Sequence, residues 1–239
     1  FINTSAYTNV DLAEKNMKEC FDVNVNGPKN LSLVCNLYNS TLIHYSTDYV
    51  YDGLKTSRYK ENDNCNPISY YGKTKYFGDI EIYNNMKKYY IFRVSWLIDS
   101  FGSNFLTKII NNLLTKKEIN VVDDQVSLPT FYDDLAEITL EIIFSKCKKF
   151  GLYNYSTIGK DISRYKFTRI ISKYLIDNNI HIGKINSILT SQIDNIANRP
   201  MYSSLDCSKF ERTFNINSIN WEKCIKSTIN NYLDINNNK

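Results

Sequence analysis

The sequence predicts an α/β fold built on a doubly wound parallel sheet. Short runs rich in β-branched and aromatic residues alternate with helical patterns, the signature of βαβ units. Turn signals such as Asp52-Gly53 and Asn66-Pro67 punctuate the alternation. The chain has 239 residues, 43% hydrophobic and 23% charged, a globular balance sufficient for one or two domains.

The elements follow in order. Val10–Cys20 suggests a short helix. Asp22–Tyr38 sets Val25, Leu31, Leu33, Val34 and Leu37 largely on one side of a second. Thr41–Ser46 (TLIHYS) is a short strand, with His44 expected as a packed core residue. A long loop spans Thr47–Ser69. Tyr70–Lys87 reads as a helix, Tyr90–Ser95 as a buried strand, Asn104–Lys116 as a helix and Glu118–Val122 as a strand. Phe131–Ser145 is helical, Leu152–Tyr155 extended, and a helix from about Asp161 to Ile176 precedes two short C-terminal helices. Ser208-Lys-Phe-Glu211 fits a capping box for the first of these, and the Asn-rich end NNYLDINNNK is expected to fray. The last third, richer in helix and irregular segments, fits a smaller second lobe.

Composition narrows the functions. The net charge of +4 is spread along the chain without a like-charge block, so no nucleic-acid footprint is expected. No apolar run reaches the ~18 residues a membrane helix needs. The six cysteines form no CxxC pair and the two histidines, His44 and His181, lie far apart, so no metal site is expected. Scattered cysteines without a secretory leader read as reduced thiols of a cytoplasmic protein. The chain begins at Phe1 and contains no G-x-G-x-x-G among its eight glycines. Either it binds no dinucleotide, or the first strand, glycine turn and helix of a dinucleotide fold lie upstream.

The chemistry centres on Ser46 to Lys75. Tyr71 and Lys75, spaced i, i+4, share one face of a helix. An ammonium near a phenol favours the phenolate and lowers its pKa, so such a tyrosine can exchange a proton with a substrate oxygen. The hydroxyl of Thr47, at the end of the preceding strand, is placed to reach the same oxygen. The spacing occurs three times: Tyr51/Lys55 spans an Asp-Gly turn, Tyr83/Lys87 lies late in its helix, and Tyr71/Lys75 opens one. Context therefore selects the last.

In these residues the chain resembles a family. STDYVYDG, NPISYYGKTKYFGD and FRVSW are similar to the extended short-chain dehydrogenase/reductases and, more narrowly, to the dTDP-4-dehydrorhamnose reductases. INTSAYTNVDLAE and VNVNGPKNL upstream, and GSNF, VVDDQVSLPTFYDDLA and NRPMYSSLDCSKFERTF downstream, continue the likeness in the same order. The resemblance implies a Rossmann-like domain over residues 1–98 and about 126–158, N-terminally incomplete, and a substrate-binding lobe over about 99–125 and 159–239. It implies reduction, by NADPH or NADH, of the 4-keto group of a nucleotide-linked 4-dehydro-6-deoxysugar, a step in dTDP-rhamnose synthesis. Tyr71 would donate the proton, Lys75 would lower its pKa and hold the nicotinamide ribose, and Thr47 would polarise the carbonyl. Ala6, Tyr7 and Thr8 would line the cofactor, and Thr47, Asp48 and Trp96 the sugar. A homodimer is implied as well.

Ser127 stands where the family usually has glycine, a substitution that would matter if that glycine had φ > 0. Tyr49 follows the Asp of the TD pair, where dehydratases carry an acid, which argues against dehydration. A sister epimerase, or a non-catalytic subunit similar to the regulatory subunit of methionine adenosyltransferase, remains open at this stage.

Overall fold

The computed structural model describes residues 1–145, 147–194 and 196–237. The chain runs β1 (Ile2–Asn3), α1 (Val10–Ala13), α2 (Met17–Phe21), a π-helical turn (Asp22–Asn26), α3 (Gly27–Leu37), β2 (Leu42–Thr47), a 3-10 turn (Asp48–Val50), α4 (Tyr70–Asn85) and β3 (Tyr89–Val94). It continues with β4 (Leu97–Ile98), α5 (Phe105–Thr115), β5 (Glu118–Val122), β6 (Val126–Ser127), β7 (Thr130–Phe131), α6 (Tyr132–Phe144) and β8 (Gly151–Tyr155). β9 (Ile162–Ser163), α7 (Arg164–Asp177), β10 (Lys184–Ile188), α8 (Ser208–Phe214) and α9 (Trp221–Asn237) complete it.

Two compact units form: Phe1–Ser95 with Lys146–Tyr155 and Asp194–Ile216, and Trp96–Ser145 with Ser156–Ile193 and Asn217–Lys239. The sequence-expected division ran differently. Residues 126–145 join the second unit because β6 pairs with β9 and β7 with β4. The 194–216 segment joins the first, where Tyr59 bridges Leu205 and Phe210 meets the rings of Phe92, Tyr153 and Tyr155.

The first unit holds the parallel sheet, in the order β1-β2-β3-β8. β2 and β3 are buried almost throughout, as strands covered on both faces must be. Helix α4 covers the sheet: Ile82 and Met86 meet Leu42, Tyr89 and Ile91. Ser69 caps it, its hydroxyl accepting from the Gly72 N–H at 3.1 Å. Two glycines set how close it comes. A Cβ on Gly72 would lie 2.2 Å from the Tyr49 carbonyl oxygen, and one on Gly78 would lie 2.2 Å from that of Asn24.

The second unit has an apolar core. Asn104 and Thr107 close a capping box that starts α5, whose Leu106, Ile109, Ile110 and Leu113 face inward. Phe167, Ile171 and Leu175 of α7 and Trp221, Ile225 and Ile229 of α9, at i, i+4 spacing, meet them.

Several local expectations change. The first two helices are shorter, and the second is broken by the π turn, with Pro28 at the start of α3. The capping box at Ser208 does not form: Cys207 is the N-cap, and the Ser208 N–H goes to Asp206 Oδ1. α9 is a long helix, Trp221–Asn237, where a short one was expected, and residues 238–239 lie outside the described residues. No helix among the described residues is long and apolar enough to cross a membrane.

Candidate active site

The site is built where β2 ends and α4 begins, both in the first unit. β2 is a central strand of a parallel sheet, and ligands of such sheets bind at the carboxyl ends of the strands. Thr47 is the last residue of β2 and is buried. Its hydroxyl accepts from the Tyr49 N–H at 3.2 Å, donates to Asp48 Oδ1 at 3.2 Å, and lies within hydrogen-bonding reach of the Tyr71 phenol. The glycine at position 72 makes this meeting possible, because it lets the first turn of α4 touch the Tyr49 backbone. The ring of Tyr49 stands edge-on to that of Tyr71, with centroids 5.8 Å apart.

Tyr71 keeps part of its residue surface open, while its surroundings desolvate the phenol. Burial is the largest influence and pushes its pKa upward. The Thr47 hydrogen bond pulls it down, and the neighbouring Asp48 and Tyr49 push it further up. The direction is opposite to the lowering expected from Lys75. The reason is geometric: Lys75 is buried and turns its amine to the Tyr45 carbonyl at 2.7 Å and to His44 Nε2 at 3.3 Å. Burial lowers the Lys75 pKa to about 8, against the pull of Asp79 and Cys20. Asp79 is itself buried, pairing with Arg93 at 3.2 Å and accepting from Ser46 at 2.9 Å.

Asp48 has both carboxylate oxygens engaged, Oδ1 by Thr47 and Oδ2 by Ser203 at 2.5 Å. It holds the Thr47 hydroxyl in place. Ala6 and Tyr7 are half-buried and Thr8 is exposed, just beyond the end of β1. Asn24 fixes this segment: its Oδ1 accepts from the Tyr7 N–H at 2.8 Å, and its Nδ2 donates to the Tyr7 carbonyl and to Thr74 of α4, each at 3.1 Å. Glu14 adds a second tie, accepting the Tyr70 N–H at 2.7 Å.

Trp96 opens the second unit. It has a positive φ of 38° and packs by Phe105 and Phe167, with the Arg164 guanidinium 4.5 Å from its ring centroid. Ser127 pairs with Ile162 as a strand residue and has no positive φ, so the glycine usual in the family is not needed for backbone reasons here. The two rejected Tyr/Lys pairs serve otherwise. Tyr51 stacks on Tyr59 while Lys55 pairs with Asp63, and Tyr83 is exposed.

The structure thus brings together Thr47, Asp48, Tyr71 and Lys75, with the 6–8 segment tied to the same helix. The sequence reading missed Asn3, Asn24, His44 and Ser203, which hold these groups. His44 alone left a signal, as a polar residue directly after Leu42 and Ile43 in a buried strand. The donor set fits the ribose end of a nicotinamide cofactor: an amine with one hydrogen given to a carbonyl keeps others for hydroxyl oxygens, and a phenol stands beside it.

Comparison with known proteins agrees. The model of the family described as RmlD substrate binding domain matches residues 1–234. The dTDP-4-dehydrorhamnose reductase of Aggregatibacter actinomycetemcomitans is 32% identical over 232 residues, covering 95% of this chain and 79% of that protein. Among solved structures, a dTDP-4-dehydrorhamnose reductase from Clostridium acetobutylicum matches with a TM-score of 0.89 at 34% identity, over 96% of this chain and 79% of that one. The Bacillus anthracis enzyme, solved in complex with NADP, gives 0.87 at 30% identity, over 95% and 78%. With a family model spanning nearly every residue and relatives of this identity, the chain belongs to the RmlD substrate binding domain family.

Proposed function

We propose that the chain reduces the 4-keto group of a dTDP-linked 4-dehydro-6-deoxysugar, the activity for which its relatives are named. The observation that carries the reading is that Thr47, at the carboxyl end of β2, and Tyr71, in the first turn of α4, are held beside each other by the close approach of Gly72 to the Tyr49 backbone and by the edge-on packing of the Tyr49 and Tyr71 rings. A nicotinamide cofactor supplies the hydride when bound. Tyr71 donates its proton to the carbonyl oxygen as charge develops there. Thr47, whose oxygen accepts from the Tyr49 N–H, turns its one hydroxyl hydrogen from Asp48 Oδ1 to the same oxygen when the carbonyl is bound. A phenol with a raised pKa is protonated at neutral pH, which is the form a proton donor needs. Lys75 as ammonium stabilises the phenolate left behind and holds ribose hydroxyls, while Ala6, Tyr7 and Thr8 line the cofactor and Trp96 the sugar. Tyr49, in the place where a dehydratase carries an acid, sends its N–H to Thr47 and its ring to Tyr71.

The test is the purified protein with NADPH or NADH and dTDP-4-dehydrorhamnose. Loss of reduced-nicotinamide absorbance with one equivalent of reduced sugar is expected. No turnover, with a stable complex on methionine adenosyltransferase, would replace the reductase with a regulatory subunit. The proposal extends to a cytoplasmic homodimer, checked by light scattering, where a monomeric mass removes it.

A further inference from the structure

Strand β2 turns His44 fully into the core, and its two ring nitrogens meet different partners. Asn3 Nδ2 lies 3.0 Å from Nδ1, and Lys75 Nζ lies 3.3 Å from Nε2. The direction of these bonds follows from one fixed donor. The Ser5 backbone N–H donates to Asn3 Oδ1 at 3.1 Å, which makes that atom the amide oxygen and Nδ2 the group that donates to His44. A ring nitrogen that accepts carries no hydrogen, so the neutral imidazole keeps its single hydrogen on Nε2. That N–H faces the Lys75 amine. Two donors cannot share one hydrogen bond, so the bond forms only when the amine offers its lone pair, its own hydrogens going elsewhere, one to the Tyr45 carbonyl at 2.7 Å.

We infer that Asn3 and His44 are positioning residues for Lys75: Asn3 fixes the hydrogen of His44 on Nε2, and that N–H favours the uncharged amine. The inference deepens the proposed function, because it takes Lys75 as the partner of Tyr71. The surroundings act in the same sense. Burial pulls the lysine to about 8, and burial together with the Lys75 charge keeps the imidazole neutral. Two groups oppose: Asp79, one turn along α4 and shared with Arg93 of β3 and Ser46 of β2, and Cys20 of α2. The result is a lysine that changes charge near neutral pH rather than in the usual lysine range. Since the ammonium is the form that stabilises the Tyr71 phenolate, turnover falls as pH rises through the Lys75 pKa.

Asn3→Asp reverses the polarity with almost no change of shape. A carboxylate still accepts from the Ser5 N–H, but it also accepts from His44 Nδ1–H. The hydrogen then moves to Nδ1, and Nε2 accepts from the Lys75 ammonium. NMR of the purified protein with nitrogen-labelled histidine and carbon-labelled lysine reads both ends. In the wild type, His44 shows a protonated Nε2 and a bare Nδ1, with Lys75 titrating below the other lysines. In the variant the tautomer inverts, Lys75 rises by at least about one pH unit, and the alkaline fall in kcat/KM moves with it. A wild-type His44 with its hydrogen on Nδ1 overturns the inference even if the variant does not fold. So does a folded variant with an unmoved Lys75 titration. If wild-type tautomer and titration are as stated but no ketosugar is reduced, the reductase reading fails and this inference stands.

Discussion

The first unit buries Lys75, Asp79, Arg93, Asp48 and His44, whereas the large side chains sealed in the core of the second are Phe167, Trp221, Ile98, Ile110 and Leu175. Buried charge is expensive unless each group has a partner. In the first unit those partners come from distant segments: Asp79 with Arg93 and Ser46, Lys75 with Tyr45 and His44, Asp48 with Thr47 and Ser203. The second unit also buries Asp99 and Asp134, but its core is built of methylene and ring contacts between α5, α7 and α9. One region is organised to place protons, the other to hold shape.

The sharpest way to break this contrast is Asp79→Asn, which keeps shape but strands the Arg93 guanidinium. It should cost about 3–5 kcal/mol in urea unfolding. Leu175→Ala in the second unit should cost about 2–5 kcal/mol by leaving a cavity. An Asp79→Asn effect near zero would mean the buried pair contributes little. The next effect is one of pH. His44 has its folded pKa pushed well below 6.5. The unfolded chain therefore takes up a proton on this ring that the folded chain refuses, and stability is lost as pH falls below about 6.5, by up to about 1.4 kcal/mol per pH unit. Asp79, its carboxyl pushed up by burial, works in the opposite sense, so the quantity to measure is wild type minus His44→Gln. That difference should shrink from pH 7 to pH 5, and a constant difference would show that His44 is not held neutral. The smallest effect is Asn104→Ala, which opens the capping box of α5 and should cost about 1 kcal/mol with no pH dependence over the same range.

The sequence reading reached as far as local physics reaches. β2 and β3 were legible as short runs rich in apolar and aromatic residues, buried on both faces, and the Thr47, Tyr71 and Lys75 cluster was legible because it needs only a strand end, a helix start and an i, i+4 spacing. β10 was missed: its residues are mostly half-exposed, and its pairing with β5 joins segments far apart in sequence. α9 was read as short because Asn-rich sequence has weak helix propensity, yet Trp221, Ile225 and Ile229 anchor it. The electrostatics were the least legible part. Whether Lys75 lowers the Tyr71 pKa depends on where its amine points, and that is decided by Tyr45, His44 and Asn3, which only the sheet brings together.

The central claim is that the Tyr71 phenol delivers the proton to the ketosugar. Single-turnover reduction of dTDP-4-dehydrorhamnose by wild type and Tyr71→Phe, with sugar-nucleotide affinity measured alongside, tests it most directly. The account expects the variant to bind the sugar nucleotide with little change and to react at least about 10²-fold more slowly; equal rates in the two proteins would contradict it.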